Sequence, residues 1–262
     1  MSENAVLKTQ NHGVSMNTLK YIAIFAMLLD HIAHVFVPYG TTLYVAMRFI
    51  GRITGPVMFY AAVEGYHHTR DIRKYLMRLG IFALISYFPF ILCFEEIPSA
   101  DIRNYLHLNV IFTILMAVLA IHIRREMRHP ILKWTIITLM CFLTFTSDWG
   151  IVGFVMIILF DYYYGDFRKQ AFAYLLLLFF GQGLWDALVE PIESWYFGFD
   201  SGIIWESFFE YHFVQFGMIL PIILLSFYKG ERGSDSAFSK WVFYIFYPAH
   251  LLLLGIVNRF LI

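Results

Sequence analysis

The first apolar segment of the chain carries three ionisable side chains within five residues, Asp30, His31 and His34. Histidine is the commonest general base because an unperturbed imidazole titrates near neutral pH. Lys20 precedes His31 by eleven residues, close to three helical turns, so both lie on one stripe of a helix, whereas Asp30 points about 100° away from His31. We predict His31 and Asp30 as catalytic residues; the alternative is that they only hydrogen-bond neighbouring helices.

The second apolar segment carries two arginines four residues apart. Arg48 and Arg52 share a helical face, while Gly51 and Gly55 form a GxxxG pattern that allows close helix approach. A guanidinium in an apolar segment needs an anionic partner, which can be a protein carboxylate, a ligand carboxylate or phosphate, or a developing oxyanion. We predict both arginines to bind an anionic group, and we predict a kink at Pro56. The alternative is a pair of buried salt bridges.

Further polar residues are scattered through the other apolar segments. We predict four of them to contact substrate or support the site: Glu64, Asn109, Asp148 and His250. Asp186, Glu206 and His212 are weaker candidates. Each residue alone is more often structural than catalytic, and only their convergence in space would make a site.

No metal site is expected. Cys93 and Cys141 stand alone in apolar runs without CxxC spacing, which indicates neither a metal centre nor a disulfide framework. The sequence also contains no GxSxG, Walker or HExxH motif.

The composition requires that apolar helices position these residues. Of the 262 residues, 60% are hydrophobic and only 15% are charged, against ~45–50% and ~25% in soluble domains. Nineteen basic and nineteen acidic residues leave no net charge to attract a polyanion. The composition therefore excludes a disordered chain, a secreted disulfide scaffold and a nucleic-acid binder, and it indicates an all-α, polytopic membrane protein.

We predict about nine transmembrane spans (nine to ten), and merging the short fifth and sixth segments would change this count. They are 18–37, 44–65, 73–94, 107–123, 132–147, 149–164, 167–188, 203–228 and 240–261. With a cytoplasmic N-terminal segment 1–17, fifteen of the nineteen basic residues fall inside and only Arg103 and Arg259 fall outside, which is a strong positive-inside signal. We then predict that residues 18–262 form a single transmembrane domain in the plasma (inner) membrane of a bacterial cell.

Five stretches of the chain are similar to one known family. Residues 19–36, 48–90, 109–121, 148–153 and 240–254, in this order, resemble the TraX family. The DH, RxxGR, EGxxxTR and FYPxHL elements are specific when they occur together. Departures are mild: Thr54-Gly55 replaces a small-aromatic pair, and Tyr87 stands where an acidic residue is frequent.

The resemblance implies an activity. The TraX family is associated with N-terminal acetylation of F pilin and resembles integral membrane acyltransferases that use acyl-CoA. Those enzymes have a basic residue about three turns before a catalytic histidine on the first span, as Lys20 and His31 do. The implied donor is acyl-CoA, in particular acetyl-CoA, bound from the cytoplasm by Lys20, Arg48 and Arg52. The implied acceptor is a peptide, glycan or lipid arriving from outside.

Two other classes of function fit the same residues. One is a proton-coupled transporter, in which intramembrane acids and histidines would relay protons. The other is a structural membrane component of a conjugation or secretion system. A cavity large enough for coenzyme A that reaches His31 from the cytoplasm favours the enzyme, whereas a midplane site between broken helices favours the transporter. The sequence leaves the acceptor, the acyl chain length and the oligomeric state open.

Overall fold

The computed structural model describes residues 13–95, 98–99, 101–181, 213–234 and 236–260. Within these ranges the chain is helical, apart from turns and two isolated β-bridges. The helices are α1 (Met16–Phe36), α2 (Thr42–Gly51), α3 (Thr54–His68), α4 (Ile72–Phe94), α5 (Arg103–Leu106), α6 (Val110–Glu126), α7 (Pro130–Leu143), α8 (Gly150–Tyr162), α9 (Phe167–Gly181), α10 (Phe213–Phe216), the 3₁₀ turn Gly217–Ile219, α11 (Leu220–Ser226) and α12 (Ala237–Phe260). The predicted all-α fold is confirmed.

In the part of the chain that the structure describes, three helices are long and apolar enough to cross a bilayer: α1, α4 and residues 238–260 of α12. Shorter apolar helices cover 130–143, 150–162 and 213–226. Bulky apolar side chains cover the outer surface, with Leu84, Ile131 and Phe180 each at least 75% exposed. Because such a surface would aggregate in water, it indicates a membrane protein. The count of nine spans and the cytoplasmic N-terminus stay predictions.

The second predicted span is broken, and the break is not at Pro56. Helix α2 ends at Gly51 and α3 begins at Thr54, so Arg52 lies in the turn between them. Pro56 falls in the first turn of α3, where a backbone N–H has no intrahelical partner and proline therefore costs nothing. The kink predicted at Pro56 is wrong, because the chain breaks one turn earlier.

Helices α1 and α12 run side by side in the same direction. Near their N-termini the Asn17 amide donates to Ser239 Oγ at 2.8 Å, and about three quarters of the way along α1 the rings of His31 and His250 meet. Successive contacts therefore lie further toward the C-terminus on both helices, so the two helices are parallel. Residues at the start of α1 and of α12 share one end of the molecule.

Helix α4 is parallel to α12 as well. Phe82 packs against Tyr244 with ring centroids 5.1 Å apart, and Arg259 Nε donates to the Leu92 carbonyl at 2.7 Å further along. The broken pair α2–α3 runs in the opposite direction, because Thr54 bonds the Ala23 carbonyl of α1 while α2 packs on the end of α1. These helices enclose a cavity.

Candidate active site

A cavity of about 1090 Å³ lies between α1, the α2–α3 pair, α4 and α12. This volume is at the upper limit of ~300–1,000 Å³ that is usual for ligand sites. Two groups of charged residues line it at different levels of α1. We call one the basic end, which consists of Lys20, Arg70, Lys74, Arg78, Arg232 and Lys240. We call the other the histidine end, which consists of Asp30, His31, His34, Arg48, Arg52 and Asp148. One cavity thus connects two sites of different chemistry.

At the histidine end, His31 contacts a second histidine from α12. His31 Nδ1 lies 2.7 Å from His250 Nε2, and the two rings are nearly parallel, at 4°. His250 Nδ1 in turn lies 2.7 Å from the Phe246 carbonyl oxygen one turn earlier in α12. The edge of Phe94 packs against His31 with centroids 5.0 Å apart. The structure therefore brings together two predicted site residues that are 219 positions apart.

Asp30 binds Arg48 rather than a histidine. Arg48 donates to Asp30 Oδ2 at 2.7 Å, and both side chains are less than one fifth exposed. Gly51 makes this pairing possible, because a Cβ at that position would lie 2.2 Å from Asp30 Oδ1. The Asp30–Arg48 pair thus adds an ion pair to the apolar packing of α1 against α2, where Ala33 contacts Tyr44 and Val45.

Arg52 faces the cavity from the break between α2 and α3. Its Nε is buried and has no hydrogen-bond partner in the described part of the chain, and the same holds for Asp30 Oδ1. Buried polar atoms without partners are costly, so they usually bind water or a ligand. Arg52 can therefore offer a donor to an anionic group in the cavity.

Asp148 enters the cavity from the loop before α8. Its backbone N–H donates to the Leu108 carbonyl at 2.7 Å, and the next residue, Trp149, has a left-handed backbone with φ of 63°. This conformation is uncommon for a bulky residue and persists only where packing holds it. The Trp149 ring packs on Gly55, where a Cβ would lie 2.2 Å from it. The loop is held so that Asp148 faces the histidine end.

Two cavity residues were missed by the sequence analysis. His107 Nδ1 lies 2.5 Å from Glu95 Oε1, and both side chains line the cavity where α4 ends. Polar residues are ordinary at the ends of membrane helices, so neither carried a signal in the sequence.

Two further predicted site residues lie away from the histidine end. Glu64 lines the cavity toward the basic end and accepts a hydrogen bond from Tyr228 Oη at 3.0 Å, far from His31. Asn109 caps α6 by accepting from the Ile111 amide, and it donates to the Ala83 carbonyl at 2.8 Å. Both polar atoms of its amide are thus used in packing, and Asn109 does not line the cavity.

The basic end combines cations with aromatic rings. Lys20 Nζ lies 5.2 Å from the centre of the Phe243 ring, and the Arg78 guanidinium lies 5.8 Å from that of Tyr75. Among the described residues, six basic side chains line this end against two acidic ones, Glu64 and Asp71. The excess of positive charge suits a phosphorylated ligand.

Some predictions fall on parts of the chain that the structure leaves out. Asp186, Glu206 and His212 lie outside the described residues. In the described ranges, no group of three histidine, cysteine, aspartate or glutamate side chains has the arrangement of a metal site.

Comparison with known proteins agrees with the motifs. The family model described as "TraX protein" matches residues 15–258. The probable fimbrial assembly protein FimC, serogroup H1, of Dichelobacter nodosus is similar to this chain, with 34% identity over 256 residues that cover 97% of this chain and 99% of that protein. No solved structure matches. The resemblance inferred from the sequence is therefore confirmed, and the chain belongs to the TraX family.

Proposed function

We propose that the protein is an integral membrane acyltransferase that moves an acyl group, in particular acetyl, from acyl-CoA to an amine or hydroxyl. The observation that carries the proposal is the single cavity that joins the basic end to His31. A phosphorylated donor with a long arm needs this combination of a cationic site and a distant general base. A purely structural membrane component needs neither.

The length of the donor agrees with the distance between the two ends. About thirteen bonds separate the pyrophosphate from the sulfur of coenzyme A, and at ~1.2 Å of extension per bond they reach ~16 Å. Lys20 and His31 are eleven residues apart on α1, which corresponds to about 16.5 Å along the helix axis. A donor whose phosphates bind Lys20 would thus present its thioester beside His31.

The reaction then follows from the groups at the histidine end. His31 removes the proton from the acceptor as the acceptor attacks the thioester carbonyl, and the new bond to the acyl carbon produces a tetrahedral oxyanion. Arg52, whose Nε is unpartnered among the described residues, stabilises this oxyanion. The carbon–sulfur bond breaks, and the imidazolium returns the proton to the departing thiolate.

The acceptor is proposed to enter at the histidine end, beside the Glu95–His107 pair. The similar protein from Dichelobacter nodosus is named for fimbrial assembly, which favours an acceptor that belongs to a pilus, such as the N-terminus of a pilin. A sugar hydroxyl and a lipid headgroup are chemically possible at the same site.

One observation favours a second function. A break between helices α2 and α3 lies beside the cavity, and broken helices next to a polar site are typical of transporters. In a proton-coupled transporter, Asp30 and the paired histidines would carry protons instead of activating an acceptor.

The proposed topology predicts which loops a reagent can reach. In a background with alanine at Cys93 and Cys141, a Ser99→Cys variant should react with an impermeant thiol reagent added to intact cells, because residue 99 follows the outer end of α4. A Thr69→Cys variant should react only after permeabilisation, because residue 69 lies between α3 and α4 on the side of the basic end. Labelling of position 69 in intact cells would contradict a cytoplasmic entry of the donor.

Incubation of purified protein with radiolabelled acetyl-CoA tests the function directly. We expect slow release of labelled acetate, or labelled product when a pilin N-terminal peptide is added, since a general base beside a bound thioester also activates water. If the protein is a proton-coupled transporter, acetyl-CoA should not be turned over. A pH gradient across liposomes should instead dissipate when the transported substrate is present. Proton flux without acetyl-CoA turnover would therefore replace the proposed function by the second one.

A further inference from the structure

The hydrogen bonds around His250 determine which of its nitrogens carries a proton. The Phe246 carbonyl oxygen can only accept, so His250 Nδ1, 2.7 Å away, must donate to it and carries hydrogen. In a neutral imidazole the other nitrogen, Nε2, is then a bare acceptor. His31 Nδ1, 2.7 Å from this acceptor, must carry the hydrogen of the second bond. A neutral His31 with hydrogen on Nδ1 has its lone pair on Nε2.

The alternative is a doubly protonated His250 that donates to both neighbours. His250 is only 6% exposed, and its hydrogen-bond partners in the described part of the chain are the His31 ring and backbone groups of α12, none of which is an anion. The nearby carboxylate of Asp30 is already paired with Arg48. Because burial of an unpaired cation is costly, the neutral form of His250 is the stable one.

Packing fixes the orientation of both rings. Phe246 stacks on His250 with centroids 4.6 Å apart at 15°, and Tyr247 approaches the same ring at 5.8 Å. On the other side Phe94 holds His31 by its edge. The four-residue spacing of Phe246 and His250 on α12 lets the ring reach a carbonyl of its own helix. His250 therefore cannot turn to exchange its donor and acceptor.

We propose that His250 is a positioning residue that sets the tautomer of His31 and directs the His31 Nε2 lone pair into the cavity. His31 lines the cavity and His250 does not, so His250 acts through His31 and not on substrate. The inference rests on the proposed function, since the proton that His31 Nε2 accepts is that of the acceptor amine or hydroxyl. The Phe246 carbonyl, His250 and His31 thus form a fixed chain of donors and acceptors that ends at the reacting atoms.

Two substitutions separate this role from simple packing. In a His250→Leu variant the acceptor for His31 Nδ1 is lost, so kcat should fall by ~10²-fold or more, whereas the KM for acetyl-CoA should stay close to that of the wild type. In a His250→Gln variant the side-chain carbonyl can take the place of Nε2 and accept from His31 Nδ1, so much of kcat should return. The control is His122→Gln, because His122 bonds Tyr66 and does not line the cavity.

A spectroscopic measurement makes the test independent of turnover. Nitrogen-15 NMR of histidine-labelled protein in detergent, with the His31 signals assigned by a His31→Gln variant, should show hydrogen on Nδ1 and a bare Nε2 in the wild type. In His250→Leu the hydrogen should move at least partly to Nε2. A wild-type His31 protonated on Nε2, or a His250→Leu variant with unchanged kcat, would overturn the proposal. If His31 carried hydrogen on Nδ1 but the protein did not turn over acetyl-CoA, the positioning role of His250 would stand and the proposed function would be refuted.

Discussion

Replacement of His31 by glutamine should lower the kcat of acetyl-CoA turnover by ~10²–10⁴-fold, which is the contribution that a positioned general base makes. Glutamine is close to histidine in size and can keep a hydrogen bond to His250, so the helix packing should survive. What it lacks is a nitrogen that can take a proton near neutral pH. Steady-state kinetics with labelled acetyl-CoA measure the loss.

The KM for acetyl-CoA should distinguish the loss of a general base from the loss of donor binding in the His31→Gln variant. The KM for acetyl-CoA should change little, because the phosphates are proposed to bind about three helical turns away at the basic end. The His122→Gln variant, which removes a histidine outside the cavity lining, should keep the wild-type kcat. Equal turnover by His31→Gln and the wild type would exclude His31 as the base, whatever the geometry around it.

Much of the fold could be predicted because apolar segments of sufficient length have few alternatives to a membrane helix. The segments predicted at 18–37, 73–94 and 240–261 correspond closely to α1, α4 and α12. The break after Gly51 could not be predicted from Pro56, because a proline is equally compatible with a kink and with the first turn of a new helix. The structure shows the second arrangement, since one helix ends at Gly51 and the next begins at Thr54.

The candidate site was predictable residue by residue but not as an arrangement. Asp30, His31 and Arg48 were identified because charge is costly in an apolar segment. Their partners depend on how helices pack: the histidine that contacts His31 comes from the last helix, and the group that binds Asp30 is Arg48 rather than the adjacent imidazole. These contacts are between residues that no local pattern connects.

Asn109 shows why residue type alone does not distinguish a ligand contact from a packing contact. A buried amide in an apolar region can bind a ligand, or it can cap a helix and bond a neighbouring carbonyl, and the residue type is the same in both cases. The structure shows the second arrangement for Asn109, since the caps of α6 and the bond to Ala83 occupy both of its polar atoms.

The ion pair between Asp30 and Arg48 is expected to contribute to the stability of the folded protein. Asp30→Ala should lower the free energy of unfolding by about 3–5 kcal/mol, because it leaves Arg48, whose side chain is only 19% exposed, beside Arg52 without a counter-charge. In the double variant Asp30→Ala/Arg48→Met the unpaired cation is gone, so most of this loss should be recovered. Denaturation of the purified protein in mixed micelles, followed by circular dichroism, measures both effects.

An exposed ion pair of the same chain is the matched control. Arg103 donates to Asp101 at 2.6 Å, but Arg103 is 85% exposed, so Asp101→Ala should change stability little since solvent screens such a pair. If Asp30→Ala were as mild as Asp101→Ala, the Asp30–Arg48 ion pair would contribute little to the stability of the folded protein. If the double variant were as unstable as Asp30→Ala alone, the cost would come from the lost packing of Asp30 and not from an uncompensated charge.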